Sequence, residues 1–220
     1  MTGQGFTTKM PKLVGIKLKG KLNGWTASKD IILKVATMLT VKGGTGKILE
    51  YFGEGARALS ATGKGTVTNM GAEIGATTST FGYDKLMDPY LRATDRAAIA
   101  DLCKKYASHL QSDPEVEKDP EKFYDEYHEI DLDQLEPHIV GPHTPDLGRS
   151  ISAMAKEVDE KGYPAEISAA LIGSCTNSSY EDMTRSVSLV RQAKDAGIDV
   201  KTNFLVTPGS EQIYETIKQD

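Results

Sequence analysis

Cys175 stands where a thiol is easily activated. The apolar run Ile167–Ile172 reads as a strand, Gly173–Ser179 is a small polar loop, and Met183, Val187 and Val190 follow at helical spacing. In open α/β sheets the loop at a strand's carboxyl end is where ligands bind. A helix N-terminus also favours thiolate over thiol, because unpaired N–H groups and the positive end of the dipole face it. Cys175 is therefore a candidate metal ligand or nucleophile. A polar helix cap that merely contains a cysteine explains the same residues, and spacing alone does not separate the two.

The second candidate is the stretch Thr68–Ser79, which contains Asn69, Gly71, Glu73 and Gly75. If it is helical, Asn69 and Glu73 are four residues apart and share a face, as do Met70 and Ile74. Gly71 and Gly75 stack likewise and let another backbone or a ligand come close, at a cost in helix propensity. An amide and a carboxylate on one ridge could orient a polar substrate or exchange a proton with it. A solvated Asn–Glu pair is the plainer alternative.

Other motifs do not carry chemistry on their own. Val41–Lys47 fails the phosphate-loop pattern twice, because Val41 stands in place of its first glycine and Ile48 in place of its hydroxyl residue. Gly63-Lys64-Gly65 lacks the third glycine and the preceding strand of a dinucleotide site, so both stretches read as turn or cap glycines. His109, His128, His138 and His143 show no ligand spacing to one another or to Cys175. A cysteine hydrolase built on Cys175 lacks an identifiable histidine partner. Cys103 sits in an amphipathic stripe and is expected in a core, as a small hydrophobe.

Two distant cysteines in 220 residues make no disulfide framework, which suits an intracellular chain. No apolar run is long enough for a membrane span, and the N-terminus has no apolar signal region. Hydrophobic content of 39% and charged content of 26% are those of a globular protein. The net charge of −5 is uneven: eleven acidic residues and two basic ones fall between Asp113 and Glu136, a block expected to be a solvated linker or helix face. The rest carries a surplus of only four positive charges, a weak footprint for nucleic acid.

The elements that must position these residues alternate. A strand at Leu13–Leu18, a helix capped by Ser28 and running to Leu39, the glycine loop Gly43–Gly46 and a strand at Ile48–Phe52 form a crossover unit of a parallel sheet. A helix capped by Thr94 follows, with Ile99, Leu102, Tyr106 and Leu110 as its stripe. Three prolines in nine residues at 137–145 interrupt the pattern. The α/β alternation then resumes, with helices ended at Gly162 and Gly197 and a last helix, capped by Ser210, still running at Asp220. The expected fold class is α/β: two three-layer segments, 1–136 and 137–220, with mostly parallel sheets flanked by helices.

Taken together, the two candidate stretches resemble the aconitase family. Leu171–Met183 is similar to the signature around that family's first iron–sulfur cysteine, and Asn69–Ser79 to the stretch that supplies an active-site asparagine and glutamate. Lys42–Gly46, Gly141–Leu147 and Thr207–Gln212 fall in the family's order, and the mitochondrial type, which also occurs in bacteria, is the nearest likeness. The resemblance implies a hydro-lyase that interconverts citrate and isocitrate through cis-aconitate. A [4Fe-4S] cluster held by three thiolates would act as Lewis acid. Cys175 would be one cluster ligand, and Asn69 and Glu73 would position the substrate or its hydroxyl. Such a protein would sit in the mitochondrial matrix of a eukaryote or the cytoplasm of a bacterium.

The family's other two cluster cysteines form a C-x-x-C pair that is not found here, and one thiolate cannot hold such a cluster. Its Asp-Ser-His stretch and its domain carrying the serine base and substrate arginines are also not found. The resemblance thus implies the second domain and the start of the third domain of a longer enzyme. The partners would be its remaining domains, and the chain alone is expected to be apo and inactive. Homoaconitase, isopropylmalate isomerase and methylcitrate-pathway hydratases share the cysteine signature, and some cluster-free relatives bind messenger RNA. These are the alternatives.

Overall fold

The computed structural model describes residues 3, 5, 7–173 and 176–220. The chain divides into two compact units, Met1–Ile151 and Ser152–Asp220.

The first unit is built on β1 (Lys12–Lys19), whose Val14, Ile16 and Leu18 alternate onto one face and are fully buried. α1 (Ser28–Leu39) lays Ile31, Ile32 and Val35 on that face and returns the chain to β2 (Lys47–Phe52), parallel to β1 with Val14 opposite Leu49 and Ile16 opposite Tyr51. The cap of α1 is Ala27, not Ser28. The Asp30 carboxylate, at N3, accepts the Ala27 N–H at 2.6 Å, the half of a capping box that an alanine cap leaves possible, and also accepts the His138 N–H at 2.8 Å.

A short α2 (Glu54–Arg57) precedes α3 (Ala61–Asn69), which is capped by the Ser60 hydroxyl. Gly63-Lys64-Gly65 therefore lies inside a helix and is not a turn. A Cβ on Gly63 would meet Ser28 Oγ at 2.5 Å, so this glycine lets α3 close on α1. After a 3₁₀ turn at Met70–Ile74 comes β3 (Thr78–Phe81), parallel to β2.

The crossover to the far side of β1 contains α4 (Met87–Ala93), α5 (Ala97–Lys105) and α6 (Pro114–Lys118), and it ends in β4 (Glu126–Asp131), parallel to β1. The sheet order is β3-β2-β1-β4. The expected stripe on α5 is not a buried one: Ile99, Leu102, Tyr106 and Leu110 are each more than 40% exposed, and Ala100 alone on this helix is buried. Cys103 is accordingly half-buried instead of core.

Most carboxylates of the acidic block are exposed, as on a solvated face, and its second half contains the strand β4. Carboxylates there fasten the edge strand to its neighbours: Asp125 accepts the Leu13 N–H at 2.8 Å, Glu126 pairs with Lys47 at 2.7 Å, and Glu129 pairs with Lys19. Tyr124, Ile130 and Leu132 supply the apolar side of the same segment. β5 (His138–Val140) and β6 (Gly148–Ser150) form an antiparallel pair that packs on α1, so the proline-rich segment belongs with the first unit.

In the second unit, α7 (Ile151–Lys161) leads to β7 (Ala169–Ile172), α8 (Tyr180–Asp195), β8 (Asn203–Val206) and α9 (Glu211–Gln219). The two strands are parallel, Ser210 caps α9 as the sequence suggests, and Ser179 caps α8. Met183 is buried, but Val187 and Val190, expected inward, are nearly half exposed, as is Val206, and Leu205 is more than half exposed. A parallel sheet ordinarily has both faces covered. This two-stranded one does not.

Candidate active site

The candidate residues fall in both units, and each half has its own geometry. In the first unit Asn69 is the last residue of α3, and the helix tightens to 3₁₀ at Met70–Ile74 before Gly75 ends it in the left-handed region at φ 75°. The expected α-helical ridge is thereby altered. Four residues turn an α-helix about 40° past a full turn but a 3₁₀-helix about 120° past, so Asn69 and Glu73 diverge around the axis. Gly75 is a cap and does not stack on Gly71.

Asn69 lines an open concavity of about 380 Å³ together with Thr68, Gly71, Ala72, Ala76, Thr77, Thr78 and Ser79. Glu73 is exposed next to it and is not part of its lining. Four of the lining residues carry a hydroxyl and one an amide, and Thr68 Oγ1 donates to Lys64 O and Gly65 O at 3.1 Å within its own helix. The Ser79 hydroxyl oxygen is buried and has no hydrogen-bond partner among the described residues.

Three features that motif reading passes over hold this half in place. Met70 and Ile74 are buried beneath the 3₁₀ turn. Upstream, Lys64 is 3% exposed and pairs with Asp84, itself 6% exposed; the ammonium also donates to Leu59 O at 2.9 Å, and Asp84 accepts the Leu86 N–H at 2.9 Å. A lone lysine between glycines carries no sign of such a partner twenty residues away. Downstream, the glycine loop before β2 binds the exit of the turn: Gly44 N–H donates to Ile74 O at 2.9 Å, Thr45 bridges Ala76, and Thr77 N–H donates to Lys47 O at 2.8 Å.

In the second unit the candidate is Cys175. With Ser174 it lies outside the described residues. The described residues that flank this loop make defined hydrogen bonds. Gly173 follows β7, and Ser179 caps α8 in a reciprocal box: its hydroxyl accepts the Asp182 N–H at 3.2 Å, and the Asp182 carboxylate accepts the Ser179 N–H at 3.1 Å. The loop after β8 braces them, with Thr207 N–H donating to Ile172 O at 2.9 Å and Gly209 N–H to Ser178 O at 3.0 Å. This assigns a role to the Thr207–Gly209 stretch. The buried Ser178 Oγ and Asn177 Oδ1 have no partner among the described residues. Asn177 and Ser178 therefore keep unused polar capacity beside the cap of α8.

Among the described residues, no three His, Cys, Asp or Glu side chains are grouped to hold a metal ion. The whole chain has two cysteines, with Cys103 on α5, so its donor set does not fit a cluster needing three thiolates.

A family profile described as the aconitase family (aconitate hydratase) matches residues 1–220. A mitochondrial aconitate hydratase of Saccharomyces cerevisiae is 56% identical over 220 residues, covering 100% of this chain and 28% of the relative. One of Gracilaria gracilis is 54% identical over the same length, again 28% of the relative. A probable mitochondrial aconitate hydratase of Caenorhabditis elegans is 55% identical over 212 residues, 96% of this chain and 26% of the relative. The chain thus spans little more than a quarter of the length of these relatives, and identity above one half across essentially all of it leaves one assignment: it belongs to the aconitase family.

Proposed function

We propose that these residues are part of an aconitate hydratase that interconverts citrate and isocitrate through cis-aconitate. In that protein 1–136 would form the family's second domain, ending in the acidic segment, and 137–220 the start of the third, with mitochondrial matrix or bacterial cytoplasm as its location. The carrying observation is the concavity lined by Asn69, Thr68, Thr77, Thr78 and Ser79, set in a chain more than half identical to aconitate hydratases throughout.

The chemistry suits a small polyanion that carries a hydroxyl. The Asn69 amide both donates and accepts, and serine and threonine hydroxyls rotate to donate to carboxylate oxygens. The side-chain oxygens of Glu73 can accept from a substrate hydroxyl. These groups bind and orient; the loss and addition of water need a base and a Lewis acid that the chain does not itself supply. Cys175 would give one thiolate to an iron–sulfur cluster whose other ligands lie elsewhere in the protein, together with the remaining domains.

Treatment of the 220-residue chain with iron and sulfide tests this division of labour. The expected result is no stable cluster absorbance and no hydration of cis-aconitate. Either signal would overturn the assignment of the missing ligands to other domains.

A further inference from the structure

We infer that Gly44 and Thr45 of the glycine loop form a positioning platform for the Asn69–Glu73 element and are positioning residues for the reaction proposed above, on which this inference rests. The loop is short of side chains because backbone must meet backbone. A Cβ on Gly44 would lie 2.6 Å from Ile74 O and 2.9 Å from Ala76 N. Real Cβ atoms essentially never come so near, so any side chain there must push residues 74–76 away. Thr45 Oγ1 would lie 2.8 Å from a Cβ on Gly75, the residue whose positive φ ends the 3₁₀ turn.

The other side of the loop is anchored. Gly43 packs against the Leu39 carbonyl at the end of α1, and Gly43 N–H donates to Thr40 O at 3.2 Å. Lys12 N–H donates to Gly46 O at 2.9 Å, which ties the loop to β1. The platform therefore takes its position from the C-terminal end of α1 and the first residue of β1, and passes it over one hydrogen bond and one bridge to the turn that bears Glu73 and follows Asn69. A phosphate-binding role is not needed to explain the glycines.

Gly46 provides the control. It has φ +69°, and a Cβ on it would meet nothing within 4 Å, so Gly46→Ala strains the same loop without touching residues 74–76. In the 220-residue chain, Gly44→Ala should shift the side-chain amide resonances of Asn69 and the carboxylate resonance of Glu73, whereas Gly46→Ala at a comparable loss of stability should leave them in place. Should Gly44→Ala not fold, Thr45→Ala is the second variant: it should shift the same resonances by less, and Thr45→Ser should restore them. Unmoved Asn69 and Glu73 resonances in a folded Gly44→Ala or Thr45→Ala would overturn the inference, as would equal shifts in Gly46→Ala.

A kinetic readout separates this inference from the functional reading. The chain is placed in the Saccharomyces cerevisiae relative in exchange for its matching segment, and cis-aconitate hydration is measured. Gly44→Ala should lower kcat by on the order of 10- to 100-fold with KM little changed, the scale expected when an orienting group is displaced by about an ångström. Gly46→Ala should leave kcat as it was. An inactive unmutated chimera with the resonance shifts intact contradicts the functional reading alone, and an active chimera whose kcat ignores Gly44→Ala contradicts the platform.

Discussion

Gly71 and Ser79 face each other so closely that a Cβ on the glycine would fall under 3.0 Å from the serine hydroxyl oxygen. This contact joins the 3₁₀ turn to β3 across the wall of the concavity that Asn69 lines. It also accounts for the buried, unpartnered state of the Ser79 oxygen, which has glycine backbone in place of a side chain above it.

Gly71→Ala should therefore destabilise the chain by about 1–3 kcal/mol, the usual cost of overpacking. Ser79→Ala alone should be nearly neutral, because it removes an orphan hydroxyl. The double substitution should recover most of the loss, since the serine Cβ would stand 3.4 Å from the new Cβ, an ordinary contact. Urea unfolding of the four proteins closes the cycle, and simple additivity would refute the packing account.

Lys64→Met should cost about 3–5 kcal/mol, because Asp84 would be left as an uncompensated buried charge. Asp84→Asn should cost less, because an amide leaves the ammonium a partner and Leu59 O still accepts from it. The pair Lys64→Met with Asp84→Leu should be milder than the sum. Comparable losses for all three variants would show that the ion pair is not what joins α3 to the segment after β3.

Three tyrosines make stability fall on the alkaline side. Burial pushes the hydroxyls of Tyr51, Tyr124 and Tyr127 well above the ordinary tyrosine range, with the charges of Glu50 and Glu129 adding to the effect at Tyr124 and Tyr127. Folded-state values above the unfolded value of about 10 mean that the folded form holds these protons longer. The stabilisation is complete below pH about 10 and declines as pH climbs toward the folded values. Tyrosinate absorbance should show these groups ionising only with unfolding, and Tyr51→Phe should flatten the decline. Early ionisation of all nine tyrosines would contradict the buried positions.

Much of the fold was legible because local signals agreed. Val14, Ile16 and Leu18 alternate, Ile31, Ile32 and Val35 repeat at helical spacing, and both parallel crossover strands follow from them. What escaped reading depends on partners distant in sequence. The second half of the acidic block looks like a linker until Lys19 and Lys47 stand opposite Glu129 and Glu126. The α5 stripe has the spacing of a buried face, yet spacing says nothing of whether a covering surface is present. For the candidate site, residue types and motifs pointed to Asn69, Glu73 and Cys175. The 3₁₀ tightening that turns Glu73 away from Asn69 arises where the Gly71–Ser79 and Gly44–Ile74 approaches constrain the chain, and no periodicity announces it.

The central claim is that Cys175 serves as a cluster thiolate in a larger active site that Asn69 helps to shape. Its most direct measurement compares the chimera described above with its Cys175→Ala form, purified and reconstituted with iron and sulfide, by cluster absorbance and cis-aconitate hydration together. The account predicts a brown, active chimera, and a colourless or rapidly bleaching, inactive Cys175→Ala protein of unchanged secondary structure. A Cys175→Ala protein that keeps full cluster absorbance and turnover would contradict it.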